Sequence, residues 1–138
     1  MNNKPEYTLK STDDLKNVKV LIVEDDDINQ EVIKLFLKNV VDFDLVASSE
    51  EAIQKVNEES YSLILMDIGL CRVSGLETAK QIKNCPKHKN IPIVAITAHA
   101  MQTDVERFLS EGLDFFLAKP YERAELIGII RKALKLES

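Results

Sequence analysis

The chain contains few of the residues and segments that mark several large classes of protein. Its 138 residues include two cysteines, Cys71 and Cys85, which have no metal-ligand spacing and are too few for a disulfide framework. The N-terminus lacks the apolar core of a signal peptide. No apolar run approaches the roughly 18 residues that a membrane span requires. We therefore expect a protein of the reducing cytoplasm that does not contact a membrane.

Positive charge is also scarce. The sequence has 18 lysines and arginines against 23 aspartates and glutamates, a net charge of −5. A protein that binds nucleic acid unaided normally presents a basic face, so we expect no direct nucleic-acid contact. The length fits a single domain with a substantial hydrophobic core.

The order of apolar segments predicts an α/β fold. Residues 1–17 are polar and aperiodic, and we interpret them as a flexible leader before a folded domain over 18–138. Strands are predicted at about 18–24, 43–47, 62–67, 91–97 and 114–118, and several are continuous apolar runs typical of strands covered on both faces. Five strands alternating with five helices predict a parallel sheet with right-handed crossovers.

Local patterns predict where the helices begin and which faces are apolar. Three pairs resemble capping boxes, in which two residues satisfy each other's backbone amides: Asp27 with Gln30, Ser48 with Glu51, and Ser74 with Glu77. Apolar residues follow the first pair at helical spacing: Ile28, Val32, Leu35 and Phe36. The last helix, at about 121–136, has one apolar face.

Polar side chains stand at the ends of four predicted strands. Glu24 and Asp25 follow the first strand, Asp67 ends the third, Thr97 ends the fourth and Lys119 follows the fifth. In an open parallel sheet such residues converge on one rim, which is where ligands bind. Acids, a hydroxyl and an ammonium group at that rim suit a divalent cation and a phosphoryl group.

The same residues suggest a chemistry. Mg²⁺ prefers oxygen ligands and takes one or two carboxylates, which Glu24, Asp25 and Asp67 could supply. A bound cation would also remove the repulsion among these acids. A carboxylate can act as a nucleophile toward phosphorus, and we interpret Asp67 as that group. Lys119 and Thr97 would then stabilise the charge on the phosphoryl oxygens.

Four segments, in order and with suitable spacing, resemble the motif blocks of response-regulator receiver domains: VLIVEDDDINQ, LILMDIGLCRVSG, IPIVAITAHA and FFLAKPYERAEL. The resemblance covers about 18–136. It implies a flavodoxin-like, doubly wound fold with five parallel strands in the order 2-1-3-4-5. It also implies a cis peptide bond before Pro120.

The resemblance assigns a role to each residue at the rim. Asp67 is implied to be the phosphoacceptor, and Glu24 with Asp25 the acidic pair that holds Mg²⁺, with Mn²⁺ as a substitute. The backbone carbonyl of Gly69 would be a further ligand. Thr97 and Phe116 match the family's two switch positions, and Lys119 matches its active-site lysine. Phe116 also fits a plain core position.

The implied function is phosphorelay signalling by a non-enzymatic domain that promotes its own phosphorylation and slow autodephosphorylation. The donor would be a histidine kinase or a histidine phosphotransfer protein. A downstream protein would read the face formed by the fourth helix, last strand and last helix, and the domain would be a monomer or weak homodimer. Whether it stands alone or comes from a hybrid kinase is open.

Two alternatives remain open from the sequence. One is a receiver that is never phosphorylated and serves only for docking, because Leu70-Cys71 replaces the methionine-proline usual after the phosphoacceptor. The other is a Mg²⁺-dependent phosphatase that turns over an aspartyl phosphate. It would need a general acid, for which the sequence offers no clear candidate.

Overall fold

The computed structural model describes residues 13–68, 72–98, 106, 113 and 115–136. Its centre is a five-stranded, fully parallel sheet with the order β2-β1-β3-β4-β5, as predicted. The strands are β1 Lys19–Val23, β2 Asp42–Val46, β3 Leu63–Asp67, β4 Ile93–Thr97 and β5 Phe115–Ala118. Each lies within about a residue or two of its predicted bounds.

Four α-helices are present among the described residues: α1 Asp27–Leu37, α2 Ser49–Glu58, α3 Arg72–Lys83 and α4 Arg123–Ala133. Two short 3₁₀ helices, Asp13–Leu15 and Pro86–His88, precede β1 and β4. Of the helix expected between β4 and β5, the described residues include only Glu106, which is helical. No helix in the described part of the chain is both long and apolar enough to cross a bilayer.

The sheet is buried on both faces, as its continuous apolar strands predict. Alternate residues of β1 point to opposite sides, so Ile22 joins a cluster with α1 and α4 while Leu21 joins one with α2 and α3. The predicted apolar face of the last helix is confirmed: Leu126 and Ile130 are buried in the first cluster. The two clusters hold the helices against the sheet and so fix the strand ends that carry the polar residues.

Two of the three predicted helix starts are corrected. The N-cap of α1 is Asp26, whose carboxylate accepts a hydrogen bond from the Asn29 amide at 2.8 Å, so the start at Asp27 was wrong by one residue. Adjacent aspartates can each act as a cap, and the local pattern does not separate them. The start at Ser48 is confirmed, since its hydroxyl accepts from the Glu51 amide at 3.2 Å.

The predicted start at Ser74 is wrong, because α3 already begins at Arg72. The helix runs close to the end of β3: a Cβ added at Gly75 would lie 2.6 Å from Cγ2 of Ile68. Only glycine allows this approach without displacing Ile68. Tertiary packing, rather than the serine, therefore governs how α3 enters the fold.

The apolar residues that recur at helical spacing in α1 do not form its buried face. Ile28 is 75% exposed and Leu35 is 70% exposed, whereas Ile33 and Leu37 are buried against the sheet. The expected spacing is present, but Ile28, Val32 and Leu35 lie on the side of the helix that faces solvent. Phe36 is half-buried between the two sides.

The packed part of the chain begins before the predicted boundary at residue 18. Leu15 is fully buried in the core cluster that contains α4. Asp14 accepts a hydrogen bond from the buried Arg131 of α4 at 2.9 Å, across 117 positions of sequence. Residues 13–17 thus belong to the domain rather than to a flexible leader.

We expect Leu15→Ala to lower the free energy of unfolding by about 2–5 kcal/mol, because it leaves a cavity in the core. Chemical denaturation monitored by circular dichroism measures the change. Lys16→Ala, at the exposed neighbouring position, is the matched control and should have little effect. Equal stability of Leu15→Ala and the unsubstituted protein would show that residues 13–17 do not contribute to the fold.

Candidate functional site

The register of β1 and β3 brings Glu24 and Asp67 together. Val23 lies opposite Met66 in the ladder, so the residues that follow them, Glu24 and Asp67, stand at the same level of the sheet. Glu24 is 6% exposed and lies close enough to Asp67 for the two carboxyl groups to interact. Two acids separated by 43 positions of sequence therefore meet in a poorly hydrated place.

The other two strands complete the rim. Asp67 lies opposite Ile96 in β4, and Thr97 lies opposite Ala118 in β5. The Lys119 amide then donates to the Thr97 carbonyl oxygen at 2.9 Å, which fixes the start of the following segment. Thr97 is 2% exposed at this edge. The peptide bond from Lys119 to Pro120 is cis, as the resemblance implied.

Lys119 reaches back across the rim to the acids. Its ammonium group donates a hydrogen bond to Oδ2 of Asp67 and lies 3.9 Å from Oε1 of Glu24. The predicted convergence of Glu24, Asp67 and Lys119 is what the structure shows, with Thr97 on the adjacent strand end. One cation therefore faces two buried or nearly buried carboxyl groups.

The charges at this rim do not balance without a further proton or cation. Burial, together with the hydrogen bond and negative charge of Asp67, raises the pKa of Glu24 to about 8, although the Asp26 amide and Lys119 act in the opposite direction. The Glu24 carboxyl group is therefore easier to protonate than an ordinary glutamate. A cation bound beside these carboxylates would replace that proton and relieve the repulsion.

The predicted metal ligands are only partly gathered. Asp25 is exposed beside the Glu24–Asp67 pair, and Gly69 falls outside the described residues. Within the described ranges, no group of three or more His, Cys, Asp or Glu side chains is arranged to hold a metal ion. The observation that fits a divalent cation is the excess of acid: two carboxyl groups in contact and a third adjacent, all oxygen donors.

Phe116 lies in the middle of β5, opposite Ala95. It is half-buried and packs against the core cluster on the α2 and α3 side of the sheet. The sequence allowed Phe116 either a switch role or a plain core position. The structure shows that its side chain does pack against the core.

Three residues to which the sequence assigned no role at the rim support the site. The Asp26 amide donates to Oε2 of Glu24 at 3.0 Å, and the Gln30 side chain donates to the Glu24 carbonyl oxygen at 2.7 Å. Burial and the negative charges of Glu24 and Asp67 raise the pKa of Tyr121 to about 12. Adjacency to the acidic pair and to Lys119-Pro120 is the signal that could have identified them.

Tyr121 also links the rim to α1. Its ring meets that of Phe36 edge to face, with centroids 5.9 Å apart. The side chain of Arg123 donates to the Phe36 carbonyl oxygen at 3.1 Å. The segment that carries Lys119 and the helix that follows Glu24 are therefore in direct contact.

Comparison with known proteins identifies this arrangement. Residues 20–131 match the response regulator receiver domain family. The chain belongs to that family. Receiver domains are the phosphoacceptors of two-component phosphorelay signalling, so the four-segment resemblance is confirmed.

Two relatives show how the family uses such domains. The chain is 39% identical over 128 residues to the osmosensing histidine protein kinase SLN1 of Saccharomyces cerevisiae, covering 86% of this chain and 10% of SLN1. It thus spans a small part of that relative. The receiver domain of the Pseudomonas aeruginosa sensor kinase PA1611 superposes with a TM-score of 0.77 at 34% identity, covering 86% of this chain and 98% of the other. That crystal structure has a magnesium ion coordinated in the active-site cleft.

A third match includes a partner protein. In a co-crystal structure from Saccharomyces cerevisiae, the histidine phosphotransfer protein Ypd1 is bound to the receiver domain of its downstream response regulator Ssk1. The match has a TM-score of 0.76 and 32% identity, covering 88% of this chain and 92% of the matched chain.

We predict that Asp67→Asn lowers the pKa of Glu24 from about 8, because it removes a neighbouring negative charge. The value should stay above that of an ordinary glutamate, since Glu24 remains buried. A carbon-detected NMR titration of the Glu24 carboxyl group measures it, and Asp25→Asn, at the exposed neighbouring acid, is the control. An unchanged pKa in Asp67→Asn would mean that the two carboxyl groups do not interact.

Proposed function

We propose that Asp67 accepts a phosphoryl group from the phosphohistidine of a histidine kinase or a histidine phosphotransfer protein. The observation that carries the proposal is the position of Asp67 at the rim, between the ammonium group of Lys119 and the carboxyl group of Glu24. The Ypd1–Ssk1 complex supports a donor of the phosphotransfer class, because the matched receiver there binds such a protein.

The transfer needs one nucleophile and groups that stabilise charge. An Asp67 carboxylate oxygen attacks phosphorus, the phosphorus–nitrogen bond breaks, and the departing imidazole keeps the electron pair and takes up a proton from solvent. Lys119, which already contacts Asp67, stays beside the new phosphoryl oxygens. The Thr97 hydroxyl, on the adjacent strand end, donates to another of them.

We infer that Mg²⁺, or Mn²⁺ in its place, is held by carboxylate oxygens of Glu24, Asp25 and Asp67 and by the carbonyl oxygen of Gly69. When bound, the ion neutralises negative charge on the incoming phosphoryl group, which is a large part of what phosphoryl transfer requires. The raised pKa of Glu24 supports this assignment, because one ammonium group, that of Lys119, faces two carboxyl groups.

The output would be a change of surface at the β4–β5 side of the sheet. Thr97 moves toward the phosphoryl group and Phe116 turns into the space it leaves, so a downstream protein reads β5, α4 and the helix expected before β5. Two charge-assisted hydrogen bonds of roughly 1.5–3 kcal/mol each supply about 3–6 kcal/mol, and most of that range is below the roughly 5.5 kcal/mol that inverts a 1:99 equilibrium. Phosphorylation alone therefore shifts the population only in part, and partner binding completes the shift.

We expect acetyl phosphate with Mg²⁺ to add a single phosphoryl group to the protein, seen as a mass increase of the intact chain. Asp67→Asn should remain unlabelled, because a neutral amide replaces the nucleophilic carboxylate. Asp27→Asn, at an exposed residue of α1, should label like the unsubstituted protein. Absence of labelling in the unsubstituted protein would favour a docking-only receiver, and steady release of phosphate over many turnovers would favour a phosphatase.

Mg²⁺ affinity should rise with pH up to about 8 and then level off, because the cation must displace the proton held by Glu24. Below about pH 8 Glu24 tends to hold that proton, so Mg²⁺ binding releases it. The affinity for Mg²⁺ therefore falls as the pH is lowered. Calorimetry at several pH values, in buffers of different ionisation enthalpy, measures both affinity and proton release. Glu24→Gln should bind Mg²⁺ more weakly and without this pH dependence. A pH-independent affinity in the unsubstituted protein would contradict the assignment.

A further inference from the structure

His88 is buried at the end of the sheet opposite the rim. It ends the 3₁₀ helix Pro86–His88, in the connection from α3 to β4, and is 1% exposed. Its amide donates to the Cys85 carbonyl oxygen at 2.8 Å, and the Ile91 amide donates to the His88 carbonyl oxygen at 3.2 Å. The backbone on both sides therefore holds the imidazole in place. The phosphoryl transfer proposed above does not use this ring.

One hydrogen bond of the imidazole joins two connections of the fold. The Tyr61 backbone amide, in the connection from α2 to β3, donates to Nε2 of His88 at 3.1 Å. An imidazole nitrogen accepts a hydrogen bond only when it carries no proton. His88 must therefore be neutral, with its hydrogen on Nδ1. Within the ranges that the structure describes, Nδ1 has no hydrogen-bond partner. We call the His88 ring and the Tyr61 amide the His88 latch.

Tyr61 is held in place by its own side chain. Its hydroxyl donates to Oδ2 of Asp44 at 2.6 Å, and its ring centroid lies 6.0 Å from that of His88. The ammonium group of Lys19 lies 5.4 Å from the Tyr61 ring centroid, within the range of a cation–π contact. Neither partner of the latch can turn away without giving up these contacts.

The charged and titratable groups around the latch come from several elements. They are Lys19 of β1, Asp44 of β2, Glu59 and Tyr61 between α2 and β3, and Cys85 and Lys87 between α3 and β4. Both acids are already engaged. Asp44 accepts from the Tyr61 hydroxyl, and Glu59 pairs with Lys19 at 2.5 Å.

The charge closest to the imidazole in sequence is positive. The Lys87 ammonium group donates to the carbonyl oxygens of Asn57 and Glu59 at 3.3 and 3.4 Å, so it stays beside the latch. Burial, and then the positive charge of Lys87, lower the pKa of His88. The folded protein therefore resists a second proton on this ring.

We propose that the His88 latch is acid-labile: a proton taken up from solvent at Nε2 breaks the bond to the Tyr61 amide and separates the two connections. Protonation turns Nε2 into a donor, so two N–H groups would face each other. The imidazolium would also be a buried charge beside Lys87, which is costly. The two connections lead into β3 and β4, which carry Asp67 and Thr97 at their far ends. The inference does not depend on phosphorylation of Asp67.

The direction of the pH dependence follows from the closed and open states of the latch. In the open state the imidazole titrates near its ordinary pKa of about 6.5, whereas the closed state holds it neutral. Above about pH 6.5 both states are neutral, and the latch contributes its full stability. Below that pH the open state takes up a proton that the closed state refuses. The equilibrium constant for opening then rises by up to about tenfold per pH unit.

Hydrogen exchange of the Tyr61 amide, followed by NMR from about pH 7.5 to about pH 5.5, tests the latch. We expect its protection factor, which corrects for the intrinsic pH dependence of exchange, to fall by up to about tenfold per pH unit below about 6.5. His88→Gln retains an acceptor oxygen but cannot titrate, so its protection should stay constant. His99→Gln, at the other histidine of the sequence, is the matched control and should behave like the unsubstituted protein. The Leu65 amide, in the centre of β3, should stay protected.

Each other outcome decides the inference as well. Constant protection in the unsubstituted protein, or an equal fall in His88→Gln, would overturn the latch. So would loss of the pH dependence in His99→Gln, which would place the titrating group elsewhere, and a parallel fall at Leu65, which would mean global unfolding. If His88→Gln does not fold, NMR of the imidazole nitrogens in the unsubstituted protein decides. A neutral ring with its hydrogen on Nδ1 supports the latch, and a hydrogen on Nε2 overturns it.

Discussion

The in-step pairing of parallel strands is the constraint on which the site depends. Glu24, Asp67 and Lys119 come from strand ends separated by tens of residues, and each reaches the rim only because its strand ends level with its neighbour. A shift of one residue in any ladder would turn the side chain to the opposite face of the sheet. The two apolar clusters hold that register, so core packing and the chemistry of the rim are linked through the backbone.

Much of this could be predicted because the signals are strong and local. Buried parallel strands appear as short continuous apolar runs, and the first polar residue after each run is at the rim by construction. Asp67 and Lys119 were found in this way, without knowledge of their contact. What the pattern could not supply is electrostatics: the raised pKa of Glu24 follows from its burial and from the nearby Asp67, and both exist only in the folded chain.

The misplaced start of the folded domain and the side of α1 that the spacing left unspecified have a common physical origin. Helical spacing shows that Ile28 and Leu35 share a side of α1, but not whether that side faces the core, and here Ile33 holds the inner position. Leu15 stands among polar neighbours, and nothing in that local pattern indicated that it would be buried. Its place depends on packing beside α4 and on the ion pair that Arg131 makes nearby. Non-local contacts decide both cases.

The edge-to-face contact of Tyr121 and Phe36 connects the segment after β5 to α1. One ring belongs to the segment just after Lys119, and the other belongs to the helix just after Glu24. A displacement of either segment must be absorbed by the other, since close-packed aromatic rings leave little slack. The two flanks of the rim are thus coupled through one ring pair, and a substitution at Phe36 in α1 is felt at the segment that follows Lys119.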